Sequence, residues 1–228
     1  MASALRGALP AAPDLPVRDA ATVVLVRRDA GHVRVLMGQR GRAAVFMPDK
    51  FVFPGGAVDA EDARVGGEVA LAPGTARRLA LDADPALGRA LSVAAIRELW
   101  EETGLRLGDP GQGAAATGWP GFGLRPRTEA LRLVFRAVTP PGRPRRFDAR
   151  FFLAEAAELA GSPDDFAAAS GELAALQWID FEAARRLPLP FVTEVVLAEI
   201  AALLDDPDPE RPVPYFAHDA DGSHFRLL

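Results

Sequence analysis

The central segment 85–105 restricts the fold of this 228-residue chain more than any other stretch. Residues 85–103 are predicted to form one long helix, with Pro85 in its first turn and Gly104 at its C-terminal stop. At about 100° per residue, side chains three and four positions apart share a helix face. The apolar face consists of Val93, Ile96, Leu99 and Trp100. The opposite face carries Glu98, Glu101 and Glu102. The helix therefore has an apolar side to bury and a cluster of carboxylates on its other side.

Three carboxylates on one helix face repel one another, and a divalent cation would offset that repulsion. Clustered hard oxygen ligands are what Mg²⁺ or Mn²⁺ requires in proteins. Arg97 lies four residues before Glu101, so we expect the two side chains to pair. A solvated acidic surface is the alternative interpretation of this helix taken alone.

A glycine turn upstream favours a site over a plain acidic surface. Residues 51–53 are predicted as a strand end, and Pro54-Gly55-Gly56 as a turn whose backbone can approach a ligand closely. Three basic residues precede the turn: Arg40, Arg42 and Lys50. We expect at least one of them to contact substrate phosphate, and ordinary solvated charges are the alternative.

A spaced pattern links the turn to the helix. It consists of Gly56, Asp62, Arg97, Glu98, Leu99, Glu101, Glu102, Gly104 and Leu105. This pattern resembles the Nudix box, Gly-x5-Glu-x7-Arg-Glu-U-x-Glu-Glu-x-Gly-U, where U is apolar. Asp62 stands where the family has Glu. Gly56 to Arg97 spans 41 positions where the compact box needs 14, so 27 residues are inserted.

The resemblance implies an α/β fold, the Nudix-type α/β/α sandwich with a mixed β-sheet between helices. It also implies Mg²⁺- or Mn²⁺-dependent cleavage of the pyrophosphate in a nucleoside diphosphate linked to another group. By the resemblance, the metal ligands are Glu98, Glu101, Glu102 and a backbone carbonyl of Gly55 or Gly56. Arg97 would orient the carboxylates.

In several family members a further acidic residue, on a loop after the box, binds metal or acts as general base. Asp164, Asp165 and Glu172 occupy the comparable region here. Of these we choose Glu172 as the catalytic candidate. A solvated loop carboxylate just before a strand is the alternative.

One branch of the family is resembled by the order of four segments followed by an expanded box: Ala21-Thr22-Val23-Val24, Gln39-Arg40, Phe46-Met47-Pro48 and Phe51-Val52-Phe53-Pro54-Gly55-Gly56. That branch includes mammalian peroxisomal coenzyme A diphosphatase, so coenzyme A or acyl-coenzyme A is the first substrate candidate. The chain ends at Phe225–Leu228 and lacks a Ser-Lys-Leu peroxisomal address. No apolar run near the N-terminus is long enough for a signal peptide or membrane span, so we expect a cytoplasmic protein.

Composition excludes several other functions. The net charge is −5 and the pI is near 5.3, so neither nucleic acid nor a membrane is expected as a partner. Cysteine is absent, which excludes disulfides, thiolate metal sites and a cysteine nucleophile. A small-molecule nucleotide is the expected partner, and a homodimer is compatible with the resemblance.

Two other functions remain open on the sequence. One is a non-catalytic nucleotide-sensing module, although the intact Glu98, Glu101 and Glu102 favour an enzyme. The other is an RNA-end pyrophosphohydrolase, which predicts a basic groove near Arg143–Arg146.

The chain is predicted to comprise one main domain. A flexible lead-in is expected over 1–19, the domain over 20–205, and a C-terminal extension with a hairpin at Asp221-Gly222 over 206–228. The insertion 63–84 is expected to contain a short helix near 75–82. It would either form a surface excursion that shapes one wall of the cleft or act as a flexible spacer.

Overall fold

The computed structural model describes residues 15–29, 31–66, 69–81, 83–110, 119, 121–219 and 222–228. Its helices are α1 (Ala60–Gly66), α2 (Pro73–Ala80), α3 (Pro85–Thr103), α4 (Phe181–Ala184) and α5 (Phe191–Asp205). The first strands are β1 (Val17–Asp29), β2 (His32–Arg40), β3 (Phe51–Val52), β4 (Gly55–Ala57), β5 (Gly108–Asp109) and β6 (Arg125–Pro126). The later strands are β7 (Arg132–Val138), β8 (Arg146–Glu155), β9 (Leu173–Asp180), β10 (Pro214–Asp219) and β11 (Gly222–Leu227).

The strands of the described residues form a mixed sheet in the order β11-β10-β7-β8-β1-β2-β3, with β4 paired to β1 and β9 paired to β2. β1 runs parallel to β8, and β10 runs parallel to β7. The other pairings in this sheet are antiparallel. β5 and β6 form a separate two-stranded sheet.

Two apolar layers cover the faces of the sheet, because the side chains of a strand alternate between its two faces. Val23 and Leu25 of β1 pack with Ile96 and Leu99 of α3 on one face. The intervening residues of β1, such as Val24, pack with α5 on the other face. The result is a mixed sheet between helices, which confirms the predicted α/β/α sandwich.

The central helix α3 has the predicted bounds because both of its ends carry strong local signals. The Asp84 carboxylate accepts a hydrogen bond from the Ala86 N–H at 2.7 Å, and Pro85 occupies the first turn. Gly104 ends the helix with a φ of 78°, a conformation that costs glycine little. Both ends of α3 are therefore fixed, and this sets where its acidic residues lie relative to the sheet.

The structure corrects two predictions near the N-terminal side of the box. β1 begins at Val17, so residues 17–19 belong to the sheet and not to a flexible lead-in. Residues 1–14 lie outside the described part. Gly55 and Gly56, predicted as a turn, form β4 and pair with Thr22 and Ala21 of β1. The bend lies at Pro54, directly before β4.

Two helices, α1 and α2, lie at least partly within the box insertion, and only α2 was predicted. α2 covers 73–80, close to the predicted 75–82, and α1 covers residues 60–66, before and into the insertion. Val65 and Leu79 are 5% and 4% exposed and pack in the same core cluster as α3. The described part of the insertion is therefore neither a flexible spacer nor a mere surface excursion, because it buries apolar side chains in the core cluster that contains α3.

The C-terminal segment forms two antiparallel strands, as a hairpin requires, and widens the sheet, while Asp221 of the predicted turn lies outside the described residues. β10 pairs with β7 through Tyr215 opposite Arg136, and β11 pairs antiparallel with β10. The Tyr215 ring lies between the guanidinium groups of Arg136 and Arg226, at 4.5 and 4.6 Å from its centroid. Within the described segments, no helix is long and apolar enough to cross a bilayer.

Candidate active site

Arg97 is the centre of the polar network at the start of the carboxylate cluster. Its Nη1 donates to Glu98 and to Glu101, both at 2.9 Å. The pairing with Glu101 confirms the prediction from their four-residue spacing. Burial by itself lowers the pKa of Arg97, but Asp62, Glu98 and Glu101 together raise it. The guanidinium therefore stays charged while it is almost fully covered.

The strongest partner of Arg97 comes from outside the helix. Asp62 on α1 accepts from Nε and Nη2 of Arg97 at 2.8 and 2.9 Å, and Asp62 is fully buried. Nη2 also donates to the Ala57 carbonyl at 3.0 Å. Asp62 in turn accepts from the Asp59 N–H at 2.8 Å. This two-bond pairing of guanidinium and carboxylate fixes the Arg97 plane, and hence the positions of Glu98 and Glu101.

β4 brings its backbone against two of the three glutamates. The Gly55 N–H donates to Oε2 of Glu102 at 2.9 Å. A Cβ added to Gly56 would lie 2.5 Å from the Glu98 carboxyl carbon, so a larger residue at that position would have to displace the Glu98 carboxylate. The predicted approach of the glycine segment to the acidic helix face is therefore present in the structure.

Two of the glutamates are held where their negative charge is unfavourable. Burial raises the pKa of Glu98 to about 7, against the lowering influence of Arg97. Burial also raises the pKa of Glu102 to about 8, although the Gly55 N–H and Arg40 lower it. The negative charge of Glu172 raises the pKa of Glu98 and that of Glu102 further. Glu101 is more exposed, with 45% of its side chain accessible.

The loop before β9 brings Glu172 to the same region. The Ser170 N–H donates to the Glu101 backbone carbonyl at 2.9 Å, which ties this loop to the end of α3. Arg40, at the end of β2, donates to Glu172 through Nη2 at 3.2 Å. The predicted residues Arg40 and Glu172 thus adjoin the glutamates of α3.

The two other basic candidates lie further from the carboxylates. The Arg42 side chain is 92% exposed and its described ion pair is with Asp49 at 3.5 Å. Lys50 contacts Arg40 through the backbone, where its carbonyl accepts the Arg40 N–H at 2.9 Å. Among the described residues, no hydrogen bond or ion pair joins the Arg42 guanidinium or the Lys50 amine to the glutamates, so their role in phosphate binding remains a prediction.

The donor set fits a hard divalent cation in its chemistry. It combines two features. Two of the carboxylates are largely buried, where their negative charge is unfavourable, and the backbone of Gly55 and Gly56 lies directly against them. Within the described segments, no three His, Cys, Asp or Glu side chains are grouped as a formed metal site. Glu98 and Glu101 both face Arg97 instead. A cation at these carboxylates would therefore compete with Arg97 for them.

Sequence reasoning noted Asp62 only as a departure from the box pattern and did not assign it a role. Asp59 and the Ala57 carbonyl were missed altogether. The available signal was the box position of Asp62 itself, which faces Arg97 although 35 positions separate them. Its burial depends on the packing of α1 against α3, which no local pattern indicated.

We expect Gly56→Ala to reduce turnover by about 100-fold, because its new methyl group would displace the Glu98 carboxylate. Steady-state kinetics on the best substrate, with circular dichroism to verify folding, would measure this. Gly41→Ala is the matched control, since a Cβ there meets nothing within 4 Å. Equal activity of the two variants would contradict the assignment of Gly56 to the site.

The fold and the site together define a Nudix-type protein: a mixed sheet between helices, with a glycine segment facing an Arg-Glu-x-x-Glu-Glu helix. A family model for the NUDIX domain matches residues 16–200. The chain therefore belongs to the Nudix family.

Individual relatives agree with this placement. The crystal structure of a NUDIX hydrolase from Alicyclobacillus acidocaldarius is 30% identical, covers 82% of this chain and 92% of its own, and has a TM-score of 0.63. A Caenorhabditis elegans Ap4A hydrolase complex shares the fold at 20% identity and a TM-score of 0.50, covering 83% of this chain and 98% of its own.

A curated Caenorhabditis elegans protein described as nudix hydrolase 7 is 28% identical in a 159-residue alignment, and the match covers 60% of this chain. The match spans only 43% of the length of that relative. These matches identify the family and not a branch within it. The predicted link to coenzyme A diphosphatases therefore remains a proposal.

Proposed function

We propose that this protein is a Nudix pyrophosphohydrolase that cleaves the diphosphate of a nucleoside diphosphate derivative. The observation that carries the proposal is the approach of β4 to the acidic face of α3, where Gly55 donates to Glu102 and Gly56 abuts Glu98. Family membership supports the same reaction class. A bound Mg²⁺ or Mn²⁺ would neutralise the diphosphate and polarise its phosphorus atoms.

Glu98, Glu101 and Glu102 would hold the cation, with a carbonyl of Gly55 or Gly56 as an additional ligand. Arg97 positions Glu98 and Glu101 through its shared Nη1. Because Asp62 holds the other edge of the same guanidinium, Arg97 is fixed before any ligand arrives. The protein thus orients Arg97, while Glu98 and Glu101 would have to exchange their bonds to Arg97 for bonds to the cation.

Glu172 is our proposed general base. It lies on the loop tied to α3 through Ser170, and 57% of its side chain is exposed, so it can reach a water molecule at the cluster edge. In this role its carboxylate takes a proton from the attacking water as the new oxygen–phosphorus bond forms. The leaving phosphate carries away the electrons of the broken bond.

Coenzyme A or an acyl-coenzyme A is the first substrate to test, on the basis of the expanded box. The purified protein should be assayed with Mn²⁺ against coenzyme A, ADP-ribose, dinucleoside polyphosphates and capped RNA, with products separated by chromatography. Hydrolysis at the diphosphate of at least one nucleotide is the expected result. Absence of turnover on every substrate, with folded and metal-bound protein, would favour a nucleotide-sensing module instead.

An RNA-end activity is the second enzymatic alternative, and the structure reduces the basic surface expected for it. Arg143 and Arg145 are exposed, but Arg146 is buried in β8 and donates to the Thr139 carbonyl at 3.2 Å. Reversing the charges of Arg143 and Arg145 should leave hydrolysis of free nucleotides unchanged. Selective loss of activity on capped RNA would support the alternative.

We expect Mg²⁺ to raise the melting temperature more at pH 8.5 than at pH 6.0. The pKa values of Glu98 and Glu102 rise on folding from an ordinary 4.5 to about 7 and 8. These groups therefore favour the folded state at low pH, and that contribution is lost as pH rises from about 4.5 through 8. A cation that binds the ionised carboxylates offsets the loss.

Thermal melts with and without Mg²⁺, at constant ionic strength, would measure this difference. Glu98→Gln should remove much of the pH dependence, because one of the two titrating groups is gone. Equal stabilisation of the parent protein by Mg²⁺ at both pH values would contradict binding at these carboxylates.

A further inference from the structure

The ion pair between Arg40 and Glu172 joins two strands at the edge of the candidate active site. Arg40 is the last residue of β2, and its partner in the β2–β9 pairing is Leu173, the residue after Glu172. The Arg40 side chain is 19% exposed, whereas that of Glu172 is 57% exposed. The guanidinium is therefore held in place by its surroundings, and the carboxylate is the partner that is free to move.

Arg40 uses only part of its hydrogen-bonding edge. Nε and Nη2 lie on one side of a guanidinium and can grip two oxygen atoms together. Arg97 does this with Asp62, through 2.8 and 2.9 Å bonds. In Arg40, Nη2 donates to Glu172 at 3.2 Å, while Nε is buried and has no hydrogen-bond partner. A buried donor without an acceptor is unfavourable, so this edge is suited to a second oxygen that the protein does not supply.

The main chain of Arg40 is anchored at both its N–H and its carbonyl. The Arg40 N–H donates to the Lys50 carbonyl at 2.9 Å, and the Arg40 carbonyl accepts the Asp49 N–H at 3.2 Å. Both members of the Arg40–Glu172 pair lie within electrostatic reach of Glu102, since Glu172 raises the pKa of Glu102 and Arg40 lowers it. Arg40 is thus a cation placed among carboxylates that the proposed reaction assigns to a divalent metal.

We propose that Arg40 is a positioning residue that exchanges partners: it neutralises Glu172 in the ligand-free site and transfers to a phosphate of the substrate when the metal–nucleotide complex binds. This inference rests on the proposed function. A phosphate offers two oxygens and can satisfy both Nε and Nη2, which one oxygen of Glu172 does not. The exchange releases Glu172 at the moment when its carboxylate is needed.

The exchange predicts opposite effects on the two ligands when Arg40 is removed. Without nucleotide, Arg40→Gln should bind Mn²⁺ roughly three- to tenfold more tightly than the parent, because a competing cation is gone. With Mn²⁺ present, the same variant should bind ADP about tenfold more weakly, because a phosphate contact is lost. A merely structural role would weaken both. Isothermal titration calorimetry at pH 8.0 measures both affinities without turnover.

Two matched variants separate charge from geometry. Arg42→Gln removes an exposed positive charge two residues after Arg40 and should leave Mn²⁺ affinity unchanged. Arg40→Lys keeps the charge and should bind Mn²⁺ within twofold of the parent, while still losing ADP affinity because it lacks the paired donors. Mn²⁺ affinity of Arg40→Gln that is equal to or weaker than that of the parent would overturn the proposal.

Glu172→Gln provides an independent arm if Arg40→Gln fails to fold. Loss of the Glu172 charge frees Arg40, so ADP should bind a few-fold more tightly in the presence of Mn²⁺, and unchanged or weaker binding would overturn the exchange. Parent protein that binds Mn²⁺ and ADP but hydrolyses no nucleotide would contradict the proposed function alone. The exchange would still be decided by the two affinities.

Discussion

Glu102→Gln should reduce kcat by roughly 10²- to 10³-fold while changing substrate affinity little. Glu102 is 2% exposed on α3 and would contribute a charged oxygen to the cation at the diphosphate. Glutamine has nearly the same shape and can still accept the Gly55 N–H, so the fold around it is preserved. What is lost is the negative charge that would hold the metal. Steady-state kinetics with saturating Mn²⁺ would measure the effect.

The stability of the same variant provides the control. Because burial raises the pKa of Glu102 to about 8, its charged form is unfavourable in the metal-free protein at higher pH. Glu102→Gln should therefore melt at the same or a higher temperature than the parent at pH 8.5 without metal. Full activity of this variant on every hydrolysed substrate would show that Glu102 is not in the catalytic site. A strongly lowered melting temperature would show that its role is structural.

Asp62→Asn should destabilise the protein by about 3 kcal/mol, which corresponds to a fall in melting temperature of roughly 10 °C. The substitution keeps the volume of the side chain but removes the charge that compensates Arg97. Both partners are buried, with Asp62 0% and Arg97 6% exposed, so water cannot replace the lost interaction. Urea or thermal unfolding followed by circular dichroism would measure the change.

Asp59→Asn is the matched control for this prediction. Asp59 also lies near Arg97, at 3.9 Å, but 61% of its side chain is exposed. An exposed ion pair of this length contributes at most about 1 kcal/mol. Similar destabilisation by the two variants would mean that the Arg97–Asp62 pair does not have the special importance that its burial indicates.

The parts of the fold predicted well are those specified by neighbouring residues. Pro85 and Gly104 mark the two ends of α3 through local backbone chemistry. The spacing of Arg97 and Glu101 predicted their contact for the same reason. Each of these interactions acts over four residues or fewer.

The parts that sequence reasoning missed depend on contacts between distant segments. α1 has seven residues, too few for a hydrophobic period to identify it, and it is stabilised by packing on α3. Gly55 and Gly56 have low strand propensity, yet they form β4 because β1 offers them backbone partners. The pairing of Asp62 with Arg97 follows from these placements, so its burial could not be derived from local pattern.

The pairing of β10 and β11 with the sheet has a practical consequence for the design of C-terminally truncated variants. The NUDIX match ends at residue 200, before the hairpin begins. A recombinant version cut after α5 would nevertheless lose the strand that covers β7 and the ring that stacks on Arg136. The bared backbone of β7 would then be open to pairing with other molecules, and such a product should aggregate.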